Sequence, residues 1–424
     1  MKTKITLAII LLFLITFNQF KLIAQNIWQQ ITPTGDLPAE RQGHSMVTID
    51  TLVYMFGGMN NSKPIFNHVT VYDTQQRWSD IDDENETIPP PRYQHKAISS
   101  NGKMLVFFGK GTLGTLDDIW QYDPQTNQWQ QLVPGSTTNP VARCEHTATL
   151  IGNKVWVFGG RDNSNNLLND LWAYDISTNQ WTSYPSLTQT GLAGHVAVHD
   201  GTNLYLFLGY DNIFMNTEIY KFDPIAGAWT QVSSEGSMPY PVAYSTCVQV
   251  DDLTAYIFGG STGATSLGNC YKWDISTHTF TQIASGPEVS EGGGALINVP
   301  GGAKSAYKEI VFFGGEFEGT IYDDTWVYTT DLDALAGIED SHVAQLLVYP
   351  NPATDHIYIN LNDEIVKTAS CSYQLFGIMG RKVNAGNISK ENQILDISSI
   401  PEGVYFLQVF AGKELVNIQK IVKQ

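Results

Sequence analysis

A six-fold internal repeat constrains the fold of this chain more than any other feature. Apolar runs that end in glycine recur along the sequence, with the glycine at positions 57, 109, 159, 209, 259 and 314, so the period is close to fifty residues. Most runs are followed by a strand-like segment with a Tyr-Asp ending, such as IWQYD or LWAYD. Repeats of this size cannot bury an apolar core alone and therefore stack against their neighbours.

Each unit predicts four short strands. A segment such as GHSMVTI precedes the glycine-ended strand, and in five units the Tyr-Asp strand is followed by an aromatic residue, at Trp78, Trp129, Trp181, Trp229 and Phe280. The sixth unit has no such residue, whereas the segment IWQQI around Trp28 is a closing strand without the earlier strands of its unit. We therefore expect this segment to supply the outer strand of the sixth unit and to close the ring.

The repeated residues resemble those of the kelch repeat, which has a double glycine after four apolar residues and a later spaced Tyr and Trp. The resemblance covers residues 25–330 and implies an all-β, six-bladed propeller, similar to the central domain of galactose-oxidase-like proteins. Glycine at the end of the second strand permits a positive φ or a close backbone contact. On this alignment Lys110 and Tyr210 replace the second glycine of their units.

The two ends of the sequence predict export. Lys2 and Lys4 precede an apolar run, which predicts a secretory signal peptide over residues 1–24. No later stretch approaches the roughly 20 apolar residues of a membrane-spanning helix, so we expect no transmembrane segment in the mature chain. Residues 331–345 are predicted to be a linker, and the alternating apolar pattern of residues 346–424 predicts a small antiparallel Ig-like β-sandwich.

The C-terminal segment resembles the sorting domain of the Por, or type IX, secretion system of Gram-negative bacteria. The residues that carry this resemblance are Pro350, Asn351, Pro352, Asp355, Gly380, Arg381, Gly403, Tyr405 and Lys420. The resemblance implies that the outer-membrane secretion machinery is a partner, and that the protein passes through the periplasm to be secreted or held at the cell surface. It leaves open whether the tail is cleaved.

The charge of the chain excludes two classes of partner. The formal net charge is -18, and a strongly acidic protein is repelled by nucleic acid and by anionic lipid. The four cysteines, Cys144, Cys247, Cys270 and Cys371, have no zinc-binding spacing and are interpreted as small buried residues. A disulfide between Cys247 and Cys270 stays an open alternative in an exported protein.

An Arg-x-x-His pattern precedes the inner strands of the first three units. It comprises Arg41 with His44, Arg92 with His95 and Arg143 with His146, and His195 stands alone in the fourth unit. Four histidines at one position of neighbouring blades could ring a metal ion, but strands spread around an axis would hold them too far apart for bonds of about 2 Å. We favour hydrogen-bonded blade residues, and we predict neither a metal site nor a bound cofactor.

Function is expected where the units depart from their consensus. Charged and aromatic residues that follow the glycines are predicted to surround the mouth of the central channel and to bind a ligand: Lys110, Arg161, Tyr210, Asp211 and Glu316. Loops on a rigid scaffold are the usual place for such sites. The sequence has no nucleophile elbow, zinc motif or phosphate loop, so no catalytic residue is assigned.

These features predict an exported propeller that binds a surface glycan or a protein through one face. A carbohydrate-active enzyme of the sugar epimerase or mutarotase kind is an alternative, because such a kelch enzyme needs only side chains at the channel mouth. A structural adhesin is a second alternative, since a fold alone does not decide a function.

Overall fold

The computed structural model describes the larger part of the chain. The described residues are 28–62, 64–81, 87–188, 191–237, 239–299, 307–330, 347–349, 353–360, 371–377, 382–388, 392–411 and 414–423. The chain divides into two compact units, Met1–Asp333 and Ala334–Gln424. The predicted signal peptide and the predicted linker lie outside the described residues. None of the described segments is a helix long and apolar enough to cross a membrane.

The first unit is built from short antiparallel strands that form successive sheets, which we call blades 1 to 6. The described chain begins with β1 (Trp28–Ile31). Blade 1 contains β2 (Thr34–Gly35), β3 (Ser45–Ile49), β4 (Leu52–Phe56), β5 (Val69–Tyr72) and β6 (Arg77–Asp80). Blade 2 contains β7 (Lys96–Ser100), β8 (Lys103–Phe107), β11 (Ile119–Asp123) and β12 (Gln128–Leu132), with the small hairpin β9 (Lys110–Gly111) and β10 (Gly114–Thr115). Blade 3 contains β13 (Thr147–Ile151), β14 (Lys154–Phe158), β15 (Leu171–Asp175) and β16 (Gln180–Tyr184).

The second half of this unit repeats the arrangement. Blade 4 contains β17 (Val196–His199), β18 (Leu204–Phe207), β19 (Ile219–Asp223) and β20 (Ala228–Val232). Blade 5 contains β21 (Glu235–Gly236), β22 (Thr246–Asp251), β23 (Thr254–Phe258), β24 (Cys270–Asp274) and β25 (Thr279–Ile283). Blade 6 contains β26 (Gly293–Val299), β27 (Tyr307–Phe313) and β30 (Thr325–Thr329), with the hairpin β28 (Glu316–Phe317) and β29 (Thr320–Ile321).

The six blades formed by the described residues close into a ring. The innermost strands β3, β7, β13, β17, β22 and β26 contact one another in this order, and β26 contacts β3. The outer strand of blade 6 is β1, which pairs with β30 so that Trp28 lies opposite Tyr328. The predicted propeller fold and its closure by the N-terminal strand are therefore confirmed, and no blade lacks its fourth strand.

Aromatic side chains join each blade to the one before it. A Trp or Phe on the fourth strand of a blade packs against a Phe on the second strand of the preceding blade, with ring centroids 4.7 to 6.2 Å apart. The pairs are Trp28 with Phe258, Trp78 with Phe313, Trp129 with Phe56, Trp181 with Phe107, Trp229 with Phe158 and Phe280 with Phe207. The repeated aromatic residue is thus the core of the blade interface, and Trp28 fills this role for blade 6.

The double glycines hold a left-handed backbone next to the channel. The second glycine donates its N–H to a carbonyl of the following blade, as Gly58 does to Arg92 over 2.9 Å. The same bond is made by Gly109 to Arg143 over 2.9 Å. A Cβ atom on Gly109 would lie 2.6 Å from the Cβ of His95, so this second position has no room for a side chain.

The predicted alignment of two units is wrong by one residue. Gly109 and Gly209 occupy the second glycine position, and the first is taken by Phe108 (φ 54°) and Leu208 (φ 60°). Residues other than glycine can adopt a positive φ at some energetic cost, as they do at the first position. They cannot occupy the second position, because the neighbouring histidine fills the space of a side chain. Lys110 and Tyr210 therefore follow the glycine pair and do not replace its second member.

The arginines of the Arg-x-x-His pattern are buried anchors within their own blades. Arg92 and Arg143 each form two short hydrogen bonds, of 2.7 to 2.8 Å, to the carboxylates of Asp118 and Asp170. Burial raises the pKa of Asp118, but the hydrogen bonds and charge of Arg92 outweigh this effect and hold the pKa below its usual value. Such paired, hydrogen-bonded charges fix the backbone segment that leads into the inner strand of the blade.

The histidines of the pattern pack between neighbouring blades. A Cβ atom on Gly57 of blade 1 would lie 2.7 Å from Cε1 of His95, which shows how closely the ring packs against the preceding blade. His195 Nε2 lies 2.9 Å from Thr147 Oγ1, whereas neither ring nitrogen of His44 or His146 has a hydrogen-bond partner among the described residues. The hydrogen-bonded reading therefore holds for His195 and not for His44 or His146.

The four cysteines are free thiols, so the Cys247–Cys270 disulfide does not form. Three of them are buried as expected, and Cys247 is partly exposed because it faces the central channel. Burial raises the pKa of the Cys247 thiol to about 12.

The second unit is a β-sandwich. One sheet contains β31 (Leu347–Tyr349), β32 (His356–Asn360) and β35 (Asn392–Asp396). The other contains β33 (Cys371–Gly377), β34 (Lys382–Ile388), β36 (Gly403–Ala411) and β37 (Glu414–Lys423). Residues of both sheets, among them Ile357, Leu395, Leu375 and Leu407, form one buried core. The predicted small antiparallel sandwich is confirmed.

Some of the predicted sorting residues lie within this sandwich. The Asp355 carbonyl accepts the Ile397 N–H over 2.8 Å, Gly403 begins β36, and Tyr405 is buried with its hydroxyl donating to the Pro401 carbonyl over 2.7 Å. Lys420 lies in β37 opposite Phe406. Pro350, Asn351, Pro352, Gly380 and Arg381 lie outside the described residues.

Replacing Trp28 tests the closure of the ring. Trp28→Ala removes the contacts with Phe258, Phe312 and Tyr328, so we expect the free energy of unfolding to fall by about 3 kcal/mol. Gln30→Ala, at an exposed position of the same strand, is the matched control and should change it by within about 0.5 kcal/mol. Equal stability of the two variants in denaturant titrations would contradict this closure.

The buried histidines predict acid sensitivity. Burial, aided by nearby positive charges, lowers the pKa of His44 to about 3, burial and Lys96 do the same for His195, and the pKa values of His95 and His146 also lie well below 6.5. A group with a lowered folded-state pKa loses its stabilising contribution as pH falls below the unfolded value, by up to about 1.4 kcal/mol per pH unit for each histidine. Melting temperatures should therefore drop steeply between pH 6.5 and pH 5. A flat profile over this range would show that the histidines are not held neutral.

Candidate functional site

A closed ring of backbone hydrogen bonds forms the mouth of the central channel. One residue from each blade takes part, two positions before the inner strand begins: Gly43, Gln94, Glu145, Gly194, Tyr244 and Glu291. Each N–H donates to the carbonyl of the ring residue in the preceding blade, over 2.6 to 3.1 Å, and the N–H of Gly43 donates to Glu291. All six residues have positive φ values between 52° and 65°. We call this set the mouth ring.

The mouth ring carries two side-chain bridges. Gln94 Nε2 donates to Glu291 Oε1 over 2.8 Å, and this bond passes beside Gly43, where a Cβ would lie 3.4 Å from Glu291 Oε2. On the opposite side Tyr244 Oη lies 3.0 Å from Glu145 Oε2, beside Gly194, where a Cβ would lie 2.9 Å from the Tyr244 ring. Gly194 therefore has no room for a side chain beside its bridge, whereas a Cβ atom on Gly43 would be in tight contact with the Gln94 backbone nitrogen, 3.1 Å away.

Around Glu145 the second bridge extends into a polar cluster. Arg161 Nε lies 3.5 Å from Glu145 Oε2, and Arg161 also donates to the hydroxyl of Tyr210. The Tyr210 hydroxyl lies 3.1 Å from the same carboxylate oxygen, and the guanidinium carbon is 5.3 Å from the centre of the Tyr210 ring. Glu145, Arg161, Tyr210 and Tyr244 come from three blades, and we call them the rim cluster.

Electrostatics distinguish the two acidic residues of the mouth ring. The Glu145 carboxylate contacts Arg161, Tyr210 and Tyr244, whereas the Glu291 carboxylate accepts one hydrogen bond from the described residues, that of Gln94. Burial, with the nearby carboxylates of Glu145 and Glu316, raises the pKa of Glu291 to about 7, against the opposing effects of the hydrogen bond from Gln94 and the charge of Lys96. At neutral pH Glu291 therefore exchanges a proton with solvent more readily than an ordinary glutamate.

Below the mouth ring the channel holds a cavity of about 210 Å³. It is lined by the first residues of all six inner strands, including Lys96, Thr147, Thr246 and Cys247. This volume is enough for about seven water molecules at the density of the liquid. The described part of the chain thus places a small, polar, water-accessible cavity behind the mouth ring.

Four of the five predicted binding residues share one structural position. Lys110, Arg161, Tyr210 and Glu316 each form a β-bridge with the residue that precedes the mouth-ring residue of the same blade. They belong to four blades and surround the mouth ring. Only Arg161 and Tyr210 have side chains that contact each other according to the hydrogen bonds of the described residues.

The other three predicted residues serve their own hairpins. The Asp211 carboxylate accepts the N–H groups of Ile213 and Phe214 over 3.0 and 2.8 Å, which is the pattern of an Asx turn. The Glu316 carboxylate accepts the N–H of Gly319 within its hairpin. The Lys110 backbone lies opposite Thr115 within the β9–β10 hairpin. These residues stay predicted ligand contacts, on hairpins whose shapes they help to fix.

The residues that sequence reasoning missed are Gln94, Glu145, Tyr244 and Glu291. In the first two of these the residue stands directly before the histidine of Arg-x-x-His, a position occupied by Gly43 in the first unit and by Gly194 in the fourth. A pattern that keeps its arginine and histidine but alternates glycine, glutamine and glutamate between them marks a variable position on a fixed frame. This variation between units was the sequence signal for the mouth-ring position, although the fixed arginine and histidine are the more conspicuous part of the pattern.

No group of three or more His, Cys, Asp or Glu side chains in the described chain is placed to hold a metal ion. The arrangement at the mouth instead offers hydrogen-bond donors and acceptors of both charges, positioned by backbone bonds and by neighbouring blades. Such convergent polar groups around a small cavity are typical of a binding site.

Comparison with protein families agrees with this architecture. The model of the KLHDC2/KLHL20/DRC7 Kelch-repeats domain matches residues 17–190, 75–251 and 146–356 in three overlapping placements. The model of the secretion system C-terminal sorting domain matches residues 347–424.

Similar proteins carry the same repeats. Kelch domain-containing protein 3 of Rattus norvegicus is 30% identical over 264 residues, which cover 58% of this chain and 68% of the relative. The Bos taurus protein of that name is 29% identical over the same fractions of the two chains. Leucine-zipper-like transcriptional regulator 1 of Homo sapiens is 27% identical over 305 residues, or 67% of this chain and 35% of the relative. The chain belongs to the kelch-repeat family, and it ends in a secretion-system sorting domain of the Por, or type IX, kind.

Proposed function

We propose that this protein is an exported binding protein whose ligand docks on the channel-mouth face of the propeller. The sorting domain assigns the chain to secretion or the cell surface. The route through the periplasm, after removal of a signal peptide over residues 1–24, belongs to the proposal, as does recognition of the folded tail by the outer-membrane secretion machinery.

The observation that carries the binding function is the rim cluster. Arg161 and Glu145 have side chains only 16% and 10% exposed, yet they lie at the mouth of a channel, held by hydrogen bonds from three blades. A packed interface does not require a cationic group at this site, because the equivalent positions in blades 1 and 5 hold Met59 and Ser261. Polar groups fixed before a ligand arrives lose little conformational entropy on binding.

Exposed apolar side chains extend this face outwards. Leu113, Ile213 and Phe214, at the tips of hairpins in blades 2 and 4, are 98%, 74% and 72% exposed. A surface that combines a polar, charged centre with apolar contacts at its edge suits a partner that is larger than the cavity, either a glycan chain or a protein. The ligand is therefore proposed to cover the mouth ring and the hairpins around it.

An enzyme acting on a carbohydrate is the second candidate function. The specific observation in its favour is Glu291, whose pKa of about 7 would let it transfer protons at neutral pH beside the cavity. The binding function is preferred, because the rim cluster is accounted for by binding alone. Turnover of a bound sugar, measured by polarimetry or NMR, would favour the enzyme.

Replacing Arg161 tests the proposed binding face. Arg161→Ala removes the guanidinium that contacts Glu145 and Tyr210, so the exported protein should lose binding at least tenfold on glycan and protein arrays prepared from the producing cell surface. Its free energy of unfolding should fall by about 1 to 3 kcal/mol, since the Glu145 carboxylate is largely buried and loses one partner, and the variant should still unfold cooperatively.

Arg77→Ala is the matched control. Arg77 forms an ion pair with Asp73 over 3.1 Å at the turn between β5 and β6. This turn lies at the end of β5 that is farther from Gly57 and Gly58. This variant should bind as the wild type does. If Arg161→Ala also binds as the wild type does, the channel-mouth face is not the binding face.

Deletion of the tail tests the proposed export route. Because the propeller and the tail are separate compact units, a chain lacking residues 347–424 should fold its propeller but accumulate in the periplasm of a host with the type IX machinery. Full-length Arg161→Ala is the control, and it should reach the surface or the medium in normal amounts. Normal release of the truncated chain would rule out sorting through the tail.

A further inference from the structure

Two opposite charges face the channel cavity without pairing with each other. Lys96 lies two residues after Gln94 at the start of β7, and Glu291 lies two residues before β26. Both line the cavity. Lys96 and Glu291 influence each other's pKa, but no ion pair within 4.0 Å joins them among the described residues.

Glu291 presents an unused acceptor. Its Oε1 atom accepts the hydrogen bond from Gln94, whereas its Oε2 atom is buried and has no hydrogen-bond partner among the described residues. A buried carboxylate oxygen without a partner costs free energy relative to the hydrated group. This oxygen can therefore accept a hydrogen bond from a molecule in the cavity once a rotation of the Glu291 side chain turns it toward the channel.

Lys96 presents the unused donors. Its side chain is exposed to the channel, although the residue lies deep within the propeller and burial lowers its pKa. No hydrogen bond or ion pair engages its ammonium group in the described chain. The hydroxyls of Ser45 and Thr246, which also line the cavity, donate to the carbonyls of His95 and Gly292 over 3.1 and 2.7 Å.

The charge balance of the cavity limits what can enter. An ammonium group on the ligand would suit Glu291 but would be repelled by Lys96, and a carboxylate would meet Glu145 and Glu291. An uncharged hydroxyl can donate to Glu291 Oε2, and a neighbouring hydroxyl can accept from Lys96. A neutral molecule with several hydroxyl groups satisfies both residues without carrying a charge out of water.

We propose that the channel cavity receives one neutral sugar residue, with hydroxyl groups bound between Glu291 Oε2 and the ammonium group of Lys96. This proposal rests on the proposed function, because it places the ligand at the same mouth and names the chemical class of the group that inserts. The cavity of about 210 Å³ limits the inserted part to a single small ring.

The experiment measures binding of free sugars to the exported full chain at pH 8, where Glu291 is ionised in larger part. The probes are D-glucose, D-galactose and D-mannose, and the charged counterparts are 6-amino-6-deoxy-D-glucose, whose primary amine is protonated at this pH, and D-glucuronate. Binding is measured by saturation-transfer NMR and calorimetry. At least one neutral hexose should bind, and at least tenfold more tightly than either charged counterpart.

Variants of the two charged residues locate the sugar. Lys96→Met and Glu291→Gln should each weaken hexose binding at least tenfold, and both should remain folded because each removes a poorly solvated charge. Lys103→Met is the matched control: Lys103 pairs with Asp123 over 3.2 Å at the turn of the same blade, and its replacement should leave binding unchanged.

The outcomes separate this proposal from the general binding function. Failure of all three neutral hexoses to bind, equal binding by Lys96→Met, or tighter binding of a charged sugar would overturn the sugar proposal. If Arg161→Ala still abolished array binding in that case, the proposed function would stand without it. If hexose binding depends on Lys96 and Glu291 but array binding does not depend on Arg161, the sugar proposal is supported and the proposed role of the rim cluster in binding is contradicted.

Discussion

The mouth ring is the constraint on which the rest of the binding face depends. Six N–H groups and six carbonyls pair around the channel, one pair for each blade contact. A circuit of this kind cannot lose one member without leaving a donor and an acceptor unpaired in a confined space, which is costly. The ring therefore sets the spacing of the blades at the mouth, and its positive φ values set the directions in which Gln94, Glu145, Tyr244 and Glu291 leave the backbone. Non-glycine residues adopt this backbone at an energetic cost, so four of them in one ring indicate a role for their side chains.

The two glycines of the ring lie beside the two side-chain bridges. Gly43 and Gly194 come from blades 1 and 4, which lie opposite each other in a ring of six, and each stands between two blades whose side chains meet beside it. A methyl group on Gly194 would occupy the space of the Tyr244 ring. The six-fold frame thus carries a two-fold pattern of side chains, and the cavity opens between a bridge centred on Glu145 and one centred on Glu291.

The repeat period made the fold predictable, because each unit contains the same local pattern of apolar strand, glycine, tyrosine and tryptophan. Even the outer strand of blade 6 could be assigned from the sequence. The sixth unit lacks a closing aromatic residue, and Trp28 lies in a closing strand that precedes the first unit. The mouth ring could not be predicted in this way, because its bonds join residues about fifty positions apart and its members differ in type. The misplaced alignment of Phe108 and Leu208 has a related cause. In these units the sequence shows a single glycine at the end of the second strand, but only the contact with His95 or His195 shows which of the two left-handed positions has no room for a side chain.

The anchors of the mouth ring are distributed unevenly among the blades. Gln94 and Glu145 each stand between a buried arginine, two residues earlier, and a buried histidine, and in blades 2 and 3 that arginine is held by both oxygens of an aspartate. In blades 5 and 6 the arginine position holds Val242 and Val289, and the histidine position holds Ser245 and Gly292. Tyr244 and Glu291 therefore depend on the backbone ring and on their bridges for orientation. Gln94 and Glu145 are thus held by buried ion pairs two residues earlier, whereas Tyr244 and the partly bonded Glu291 can adjust their side chains to a ligand at a smaller energetic cost.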